Sequence, residues 1–343
     1  MKFQTPDCMG VKSSFFRLSR SLNTEWLKKR TSPDVLLPYS HLVSDEPVPH
    51  VENLYSFKGV RAFEKDLDML LKHFRPLDLM DVLAIHRKEK RNDPPGFLLT
   101  FDDGLRQIQE VVAPILKRKG VNAVFFINSG FVGNKQLFHR FKTSLVIGEL
   151  KKGVGEGRLK EFAALLGSSS MALGSLVSNF KEQSHLRPEL NDAAGELLDL
   201  DFEAYLRNEQ PFMSEEDLVA LKMDGFHFGS HSVDHPMMHL LPEDEQLRQV
   251  RESTEYIVKL LDLEYSCFSF PHLDSFMSKV FFERLEKEGV FIDLFFGTQN
   301  MKPDPRASIL HRFNIERPET SVADLLNGVL LFHAWSKFRH RSE

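Results

Sequence analysis

Short apolar runs alternate with amphipathic helical faces along most of this chain, and that alternation most restricts its fold. Phe97-Leu-Leu-Thr-Phe101, Val121–Ile127, Phe226–Ser230, Ser266–Phe270 and Val290–Phe296 have the length and the β-branched or aromatic character of buried strands. Between them, Phe63, Leu67, Leu70, Leu71 and Phe74 form one helical face. Ile108, Val111, Val112, Ile115 and Leu116 form a second, and Leu247, Val250, Thr254, Ile257 and Leu261 a third. Repeated βα units of this kind predict an α/β fold with a parallel sheet. Pro114 predicts a kink or a fresh first turn inside the second helix, which Gly120 ends. Ser275–Glu288 reads as a helix closed by Gly289. The rhythm breaks between about 134 and 212, where helical faces such as Leu137, Phe141, Leu145 and Ile147 occur with few strands. That stretch is expected to be a helical insertion emerging near the rim of any site at the strand ends, either shaping substrate access or filling one side of the sheet.

The chemistry is concentrated in Thr100-Phe-Asp-Asp-Gly104 and Ser230-His-Ser-Val-Asp-His-Pro236. Asp102 and Asp103 follow an apolar run and precede a glycine, so they fall at the carboxyl end of a strand, where α/β folds carry their sites. Neighbouring strand-end side chains point in different directions, so one carboxylate can bind a cation while the other faces substrate. His231 and His235 are four residues apart, a spacing that places two imidazoles on one side of a helical turn and within reach of one ion. The overlapping pair His235/His239 has the same spacing, and only context favours the first, since His231 follows a strand as Asp103 does.

Taken in order, these elements resemble the polysaccharide deacetylases, the carbohydrate esterase family that includes chitooligosaccharide and peptidoglycan deacetylases. Cys267-Phe-Ser-Phe-Pro-His272 resembles the strand and proline that wall the family's cleft, and Leu310-His-Arg-Phe-Asn-Ile315 its late strand. Pro38-Tyr-Ser-His-Leu-Val43 and Phe63–Leu71 resemble its opening strand and first helix. The resemblance covers about 35–318 and implies a distorted (β/α) barrel of about seven strands, with 1–34 as a basic, aromatic leading segment and 319–343 as a closing helix. It implies Asp102 as catalytic base, and Asp103, His231 and His235 as ligands of one divalent metal. Two nitrogens and one oxygen favour Zn2+. Pro271 and the backbone N–H of His272 would form the cleft wall and oxyanion site, and His311 is the candidate acid for the departing amine. Asp274 and Asp293 are weaker candidates to orient a catalytic group. Two departures matter. The arginine that many members carry just before the cleft-wall proline is replaced by Phe268 or Ser269, and the glycine after it by Leu273. His311 stands where relatives differ, and it also reads as a strand-end histidine bonded to backbone.

The implied activity is hydrolytic removal of an N-acetyl group from an amino sugar in a saccharide or a saccharide precursor. Two rivals keep the same residues: hydrolysis of a small cyclic amide, and metal-containing saccharide binding without turnover. A formal charge of −5 gives no support to nucleic-acid binding. With Cys8 and Cys267 alone, no disulfide framework is implied, and no leading apolar segment resembles a signal peptide, so a cytoplasmic location is expected. Basic and aromatic residues mix in 11–20, 26–30 and 332–341, a composition suited to packed terminal helices or to weak contact with the inner membrane face. Phenylalanine occurs 30 times, often inside strand-like runs, which points to core rather than to a sugar platform.

Overall fold

The computed structural model describes residues 19, 22–31, 35–89, 94–302, 304, 306 and 308–340, the side chains of 336–340 excepted. Among the described residues eleven short strands follow in chain order: β1 (Val35–Leu36), β2 (Pro38–Ser40), β3 (Arg75–Pro76), β4 (Gly96–Phe97), β5 (Leu99–Phe101), β6 (Ala123–Ile127), β7 (His227–Ser230), β8 (Cys267–Ser269), β9 (Leu294–Gly297), β10 (Ile309–His311) and β11 (Phe313–Asn314). β1, β4 and β3 form a small parallel sheet. The other eight form one parallel sheet in the order β10-β9-β8-β7-β6-β5-β2-β11.

The two outermost strands of this sheet are consecutive in the chain, separated by Arg312 alone. Its N–H donates to Gly297 O on one side (2.9 Å), while the next N–H, that of Phe313, donates to Leu37 O on the other (3.0 Å). One extended stretch, 309–314, therefore pairs first with β9 and then with β2, and the sheet becomes a nearly closed barrel. Counted by chain passes it has seven strands, as the sequence led us to expect; counted by strand segments it has eight.

Register brings the functional ends together. Ser40 pairs with Phe101, Phe101 with Phe125, and Ile127 with Ser230, so the residues after β2, β5 and β7 emerge at the same end of the barrel. Phenylalanines pack the interior: Phe101, Phe125 and Phe228 meet edge to face, and Phe126 packs on Phe296. All five are fully buried, which confirms them as core. Phe291 differs. The expected strand from Val290 begins only at Leu294, because the Asp293 carboxylate accepts the Ser266 N–H (2.9 Å) and holds a loop there, leaving Phe291 79% exposed.

The helix around Pro114 resolves as one π-helical turn, Ile108–Val112, followed by an α-helix from Ala113 with the proline in its first turn. A lost N–H costs nothing at that place. Gly120 ends the helix at φ 64°. The helix expected over 275–288 starts later, at Lys279, where Ser278 Oγ accepts the Phe281 N–H and supplies the cap. Between β6 and β7 the stretch 134–212 carries the helices His139–Lys152, Glu156–Leu165, Leu173–Leu186, Leu190–Leu197 and Phe202–Glu209, and Glu215–Met223 then leads into β7. The first five pack an apolar cluster around Phe141, Phe162, Leu176 and Phe180, which Leu42, Val48, Val51 and Leu105 join from outside the insertion. The closing helix Val322–His340 packs on Thr24–Thr31, with Thr24 Oγ1 donating to Asn327 Oδ1. Of the basic, aromatic stretch at 11–20, only Ser19 lies within the described residues, and no helix among those residues is long and apolar enough to cross a membrane.

Candidate metal centre and active site

Asp102 and Asp103 leave the end of β5 in a sharp turn. Asp103 has φ 73° and Gly104 φ 71°, two successive left-handed residues. Such a backbone is costly for a residue with a Cβ, although aspartate tolerates it better than most. The turn is fixed by the Asp102 N–H donating to Ser40 O (3.1 Å) and the Met213 N–H donating to Gly104 O (3.1 Å). As a result the two carboxylates diverge.

His231 and His235 converge by a route that their spacing did not indicate. The segment after β7 is loop, not a helical turn, with Ser232 at φ 70° and His235 at φ 60°. Ser232 Oγ accepts the His235 N–H (3.0 Å), Gln249 Oε1 accepts the Val233 N–H (2.9 Å), and Asn128 donates to His231 O. These bonds replace helical geometry and bring both rings to Asp103, whose Oδ1 lies 3.7 Å from His231 Nε2 and 3.4 Å from His235 Nε2. His239 lies elsewhere, its ring against Phe276.

The donor set fits a divalent cation. All three residues are buried, and Asp103 Oδ1 has no hydrogen-bond partner among the described residues. Burial raises the Asp103 carboxyl pKa despite nearby imidazoles, so an ionised Asp103 calls for a cation. Burial also depresses both imidazoles, that of His235 the further, keeping them neutral. His231 Nδ1 lies 2.8 Å from Ser269 O, an atom that only accepts, so the proton sits on Nδ1 and the Nε2 lone pair faces Asp103.

Asp102 has a different partner. Arg312 Nη1 and Nη2 donate to its two oxygens at 2.7 and 2.8 Å, with Arg312 wholly buried and Asp102 nearly so. The same guanidinium donates to Ser269 Oγ (2.6 Å) and Thr100 Oγ1 (3.1 Å), and lies over the rings of Tyr39 and Phe126. Burial alone would raise the Asp102 pKa; Arg312, with His231 and His41, outweighs it and holds the carboxyl below its ordinary value. An arginine thus reaches Asp102 from the barrel seam rather than from the cleft-wall strand, and Ser269 on that strand is one of its acceptors.

His311, one residue before Arg312, is not brought to this cluster. Its Nε2 lies 3.1 Å from Asp304 and its Nδ1 3.6 Å from Asp274, the opposite direction along a strand whose alternate side chains part. Asp274 already accepts from the Thr298 N–H and Gln299 Nε2, and Asp304 from Arg306, so these three residues read as a lock on β10 rather than a second metal centre. Asp293, paired with Arg87 at 2.6 Å, is structural too. His272 follows buried Pro271 with φ 56°, and its ring stands edge-on to His235 with centroids 4.5 Å apart.

Arg312 was missed by the sequence reading, and so was a second group. His41 follows β2 beside Asp102, and its Nδ1 lies 2.6 Å from Glu316 Oε2. Glu316 Oε1 also accepts the N–H groups of His41 and Leu42, both at 3.1 Å. Burial works against a charged His41, but Glu316 and then Asp103 and Asp102 outweigh it and lift the imidazole to about 9. The signal was its position at a strand end paired with β5. Its partner, 275 residues away, was not legible.

Residues 89–164 and 176–290 match the family described as polysaccharide deacetylase, together more than half of the chain. Solved structures with the same fold include the Streptococcus pyogenes deacetylase PplD in complex with acetate, at a TM-score of 0.55 and 14% identity over 86% of this chain and 97% of that one. IcaB from Ammonifex degensii aligns at 0.54 and 16%, over 87% and 97%. A de-N-acetylase from Aggregatibacter actinomycetemcomitans aligns at 0.54 and 11%, over 86% and 99%. No curated protein sequence matches the chain. At these identities the structural likeness concerns the fold alone.

Proposed function

The chain belongs to the polysaccharide deacetylase family, and on that premise we propose that it is a metal-dependent hydrolase removing the acetyl group from the nitrogen of an amino sugar in a saccharide or saccharide precursor. The observation that carries this reading is the buried, unpartnered Asp103 oxygen facing two imidazole Nε2 atoms beside a separately ionised Asp102. Asp103, His231 and His235 would hold the ion, and their two nitrogens and one oxygen favour Zn2+. When bound, it supplies Lewis-acid polarisation of the acetyl carbonyl and a more acidic water.

The chain's own groups carry the proton transfers. Asp102, kept ionised and aimed by Arg312, accepts the proton of the attacking water. His41, held as an imidazolium by Glu316, donates a proton to the departing amine, the role that the sequence had offered to His311. Pro271 fixes the turn at His272, whose backbone N–H is the candidate donor to the oxyanion. Binding without turnover loses its main support with Arg312 in place, because a site that only binds has no use for an oriented base. The test is mass-spectrometric loss of acetyl from N-acetylated oligosaccharides incubated with purified protein of known metal content. Stoichiometric metal with no acetyl released from any N-acetylated saccharide, free or lipid-linked, would refute the proposal.

A further inference from the structure

A line of imidazoles leads away from the metal ligands into the helical insertion. His235 meets His272 (centroids 4.5 Å), His272 meets His185 (4.8 Å), and His185 faces His139 (6.5 Å). The last two belong to the insertion helices Leu173–Leu186 and His139–Lys152. His272, His185 and His139 are each partly exposed, so they form a wall rather than core. Burial, and after it neighbouring histidines or the Arg140 charge, depresses all three, which leaves neutral rings able to donate or accept hydrogen bonds.

At the far end of this wall lies positive charge without a counter-ion. Arg140 Nη1 donates to Lys181 O (3.2 Å), Lys181 Nζ to Leu54 O (3.5 Å), and Lys151 Nζ to Asn53 Oδ1 (2.6 Å). Every acceptor is neutral, and none of the three cations has a carboxylate within ion-pair distance among the described residues. In a chain of net charge −5 that is not a matter of supply. Burial lowers the half-buried Arg140 to about 10, and no carboxylate opposes it. A second feature has the same sign. The helix His139–Lys152 begins next to these groups with Phe138 as its N-cap, a side chain that cannot accept a hydrogen bond, so no side chain caps its N–H groups, and that of Phe141 turns back to Phe138 O (2.8 Å).

We propose that Arg140, Lys181 and the uncapped start of the helix at His139 form a subsite for an anionic group, a phosphate or carboxylate, on the same saccharide whose N-acetyl group reaches the metal centre along the wall of His272 and His185. The inference rests on the deacetylase reading and gives the insertion a role in selecting charged over neutral saccharides. A guanidinium with free N–H donors and a helix N-terminus together favour an oxyanion over a hydroxyl.

The test is calorimetric binding to metal-loaded Asp102→Asn protein, in which turnover is suppressed. Three probes are used: a neutral N-acetylchitooligosaccharide, the same compound with a terminal phosphate, and the same compound ending in a uronate. At least one anionic probe is expected to bind about 10-fold or more tighter, as one charge-assisted contact provides, and that ratio should collapse in Arg140→Gln and fall as salt is raised. Whichever anion shows the preference identifies its source. Lys181→Gln is the second variant should Arg140→Gln fold poorly, with metal content as the check on the site. Equal binding of all three probes overturns the proposal, as does a preference that survives both substitutions. Selective binding by a protein that, with Asp102 intact, never releases acetyl would instead refute the deacetylase reading and leave the subsite standing.

Discussion

Replacing Arg312 by methionine, which keeps much of the length and removes the charge, isolates the interaction on which the proposed base depends. The guanidinium is 0% exposed and makes two short bonds to an aspartate that is 3% exposed. Removing one partner of such a pair strands the other charge in the interior, at about 3–5 kcal/mol. Lost bonds to Ser269 and Thr100 and lost ring contacts add to this non-additively. The sign of the pH dependence follows from the same geometry. In the parent chain the Asp102 carboxyl lies below its ordinary value, so its contribution to stability is present above the ordinary carboxylate range and is lost as pH falls through the depressed value. In Arg312→Met the largest opposing influence is gone, only His231 and His41 still act against burial, and the pKa rises. The destabilisation is then full at neutral pH and eases in acid, as the stranded carboxylate takes up a proton. Denaturant midpoints at two pH values read this directly. Activity should fall on the order of 10²-fold as the base loses its orientation, and its acid limb should move to higher pH. The double variant Asp102→Asn/Arg312→Met removes the stranded charge and should recover much of the lost stability. An Arg312→Met protein with unchanged midpoint and pH profile, or a double variant no more stable than the single, would refute the assignment.

Asp103→Ala, His231→Ala and His235→Ala should each lower metal content per chain in elemental analysis, because two remaining ligands make an incomplete shell; stoichiometric metal in all three would remove the site. Asp102→Asn should keep its metal and lose turnover by about 10²-fold or more, whereas loss of metal there with retention in Asp103→Asn would exchange the two roles. His41 has its pKa raised to about 9, so its pairing with Glu316 stabilises fully below the ordinary imidazole range and is lost as pH rises through about 9. Activity should decline over the same interval, Glu316→Gln should bring that limb down toward the ordinary imidazole value, and His41→Gln should abolish it; a basic limb unchanged in both variants would deny His41 the acid role.

The parts of the site legible in the sequence were those whose geometry is local. Asp102 and Asp103 needed only a strand and a glycine, and Phe101, Phe125 and Phe228 needed only strand periodicity to be placed in the core. His231 and His235 were found by a spacing argument whose premise was wrong. The loop converges through left-handed residues and Gln249, a contact that no local pattern encodes. Arg312 and Glu316 were hidden because they act across 210 and 275 residues of chain, through the pairing that closes the barrel. Arg312 stood next to a residue already singled out, but strand alternation sends the two to opposite sides, and the histidine was the more familiar catalytic type. A local search for the missing arginine could not succeed, since guanidinium and carboxylate need only meet in space.

The seam at Arg312 also governs how the molecule can be completed. A parallel strand docking last could in principle settle two residues out of step, keeping the same face inward and most of its backbone bonds. Here such a slip would carry the guanidinium away from Asp102, Thr100 and Ser269 and leave cation and carboxylate apart in an apolar interior, which the remaining contacts could not offset. The pair that would prepare the proposed base therefore also acts as a register pin. A chain that has not yet admitted the segment from 309 onward has neither a closed barrel nor Arg312 at Asp102, so the proposed base would gain its orientation only with closure.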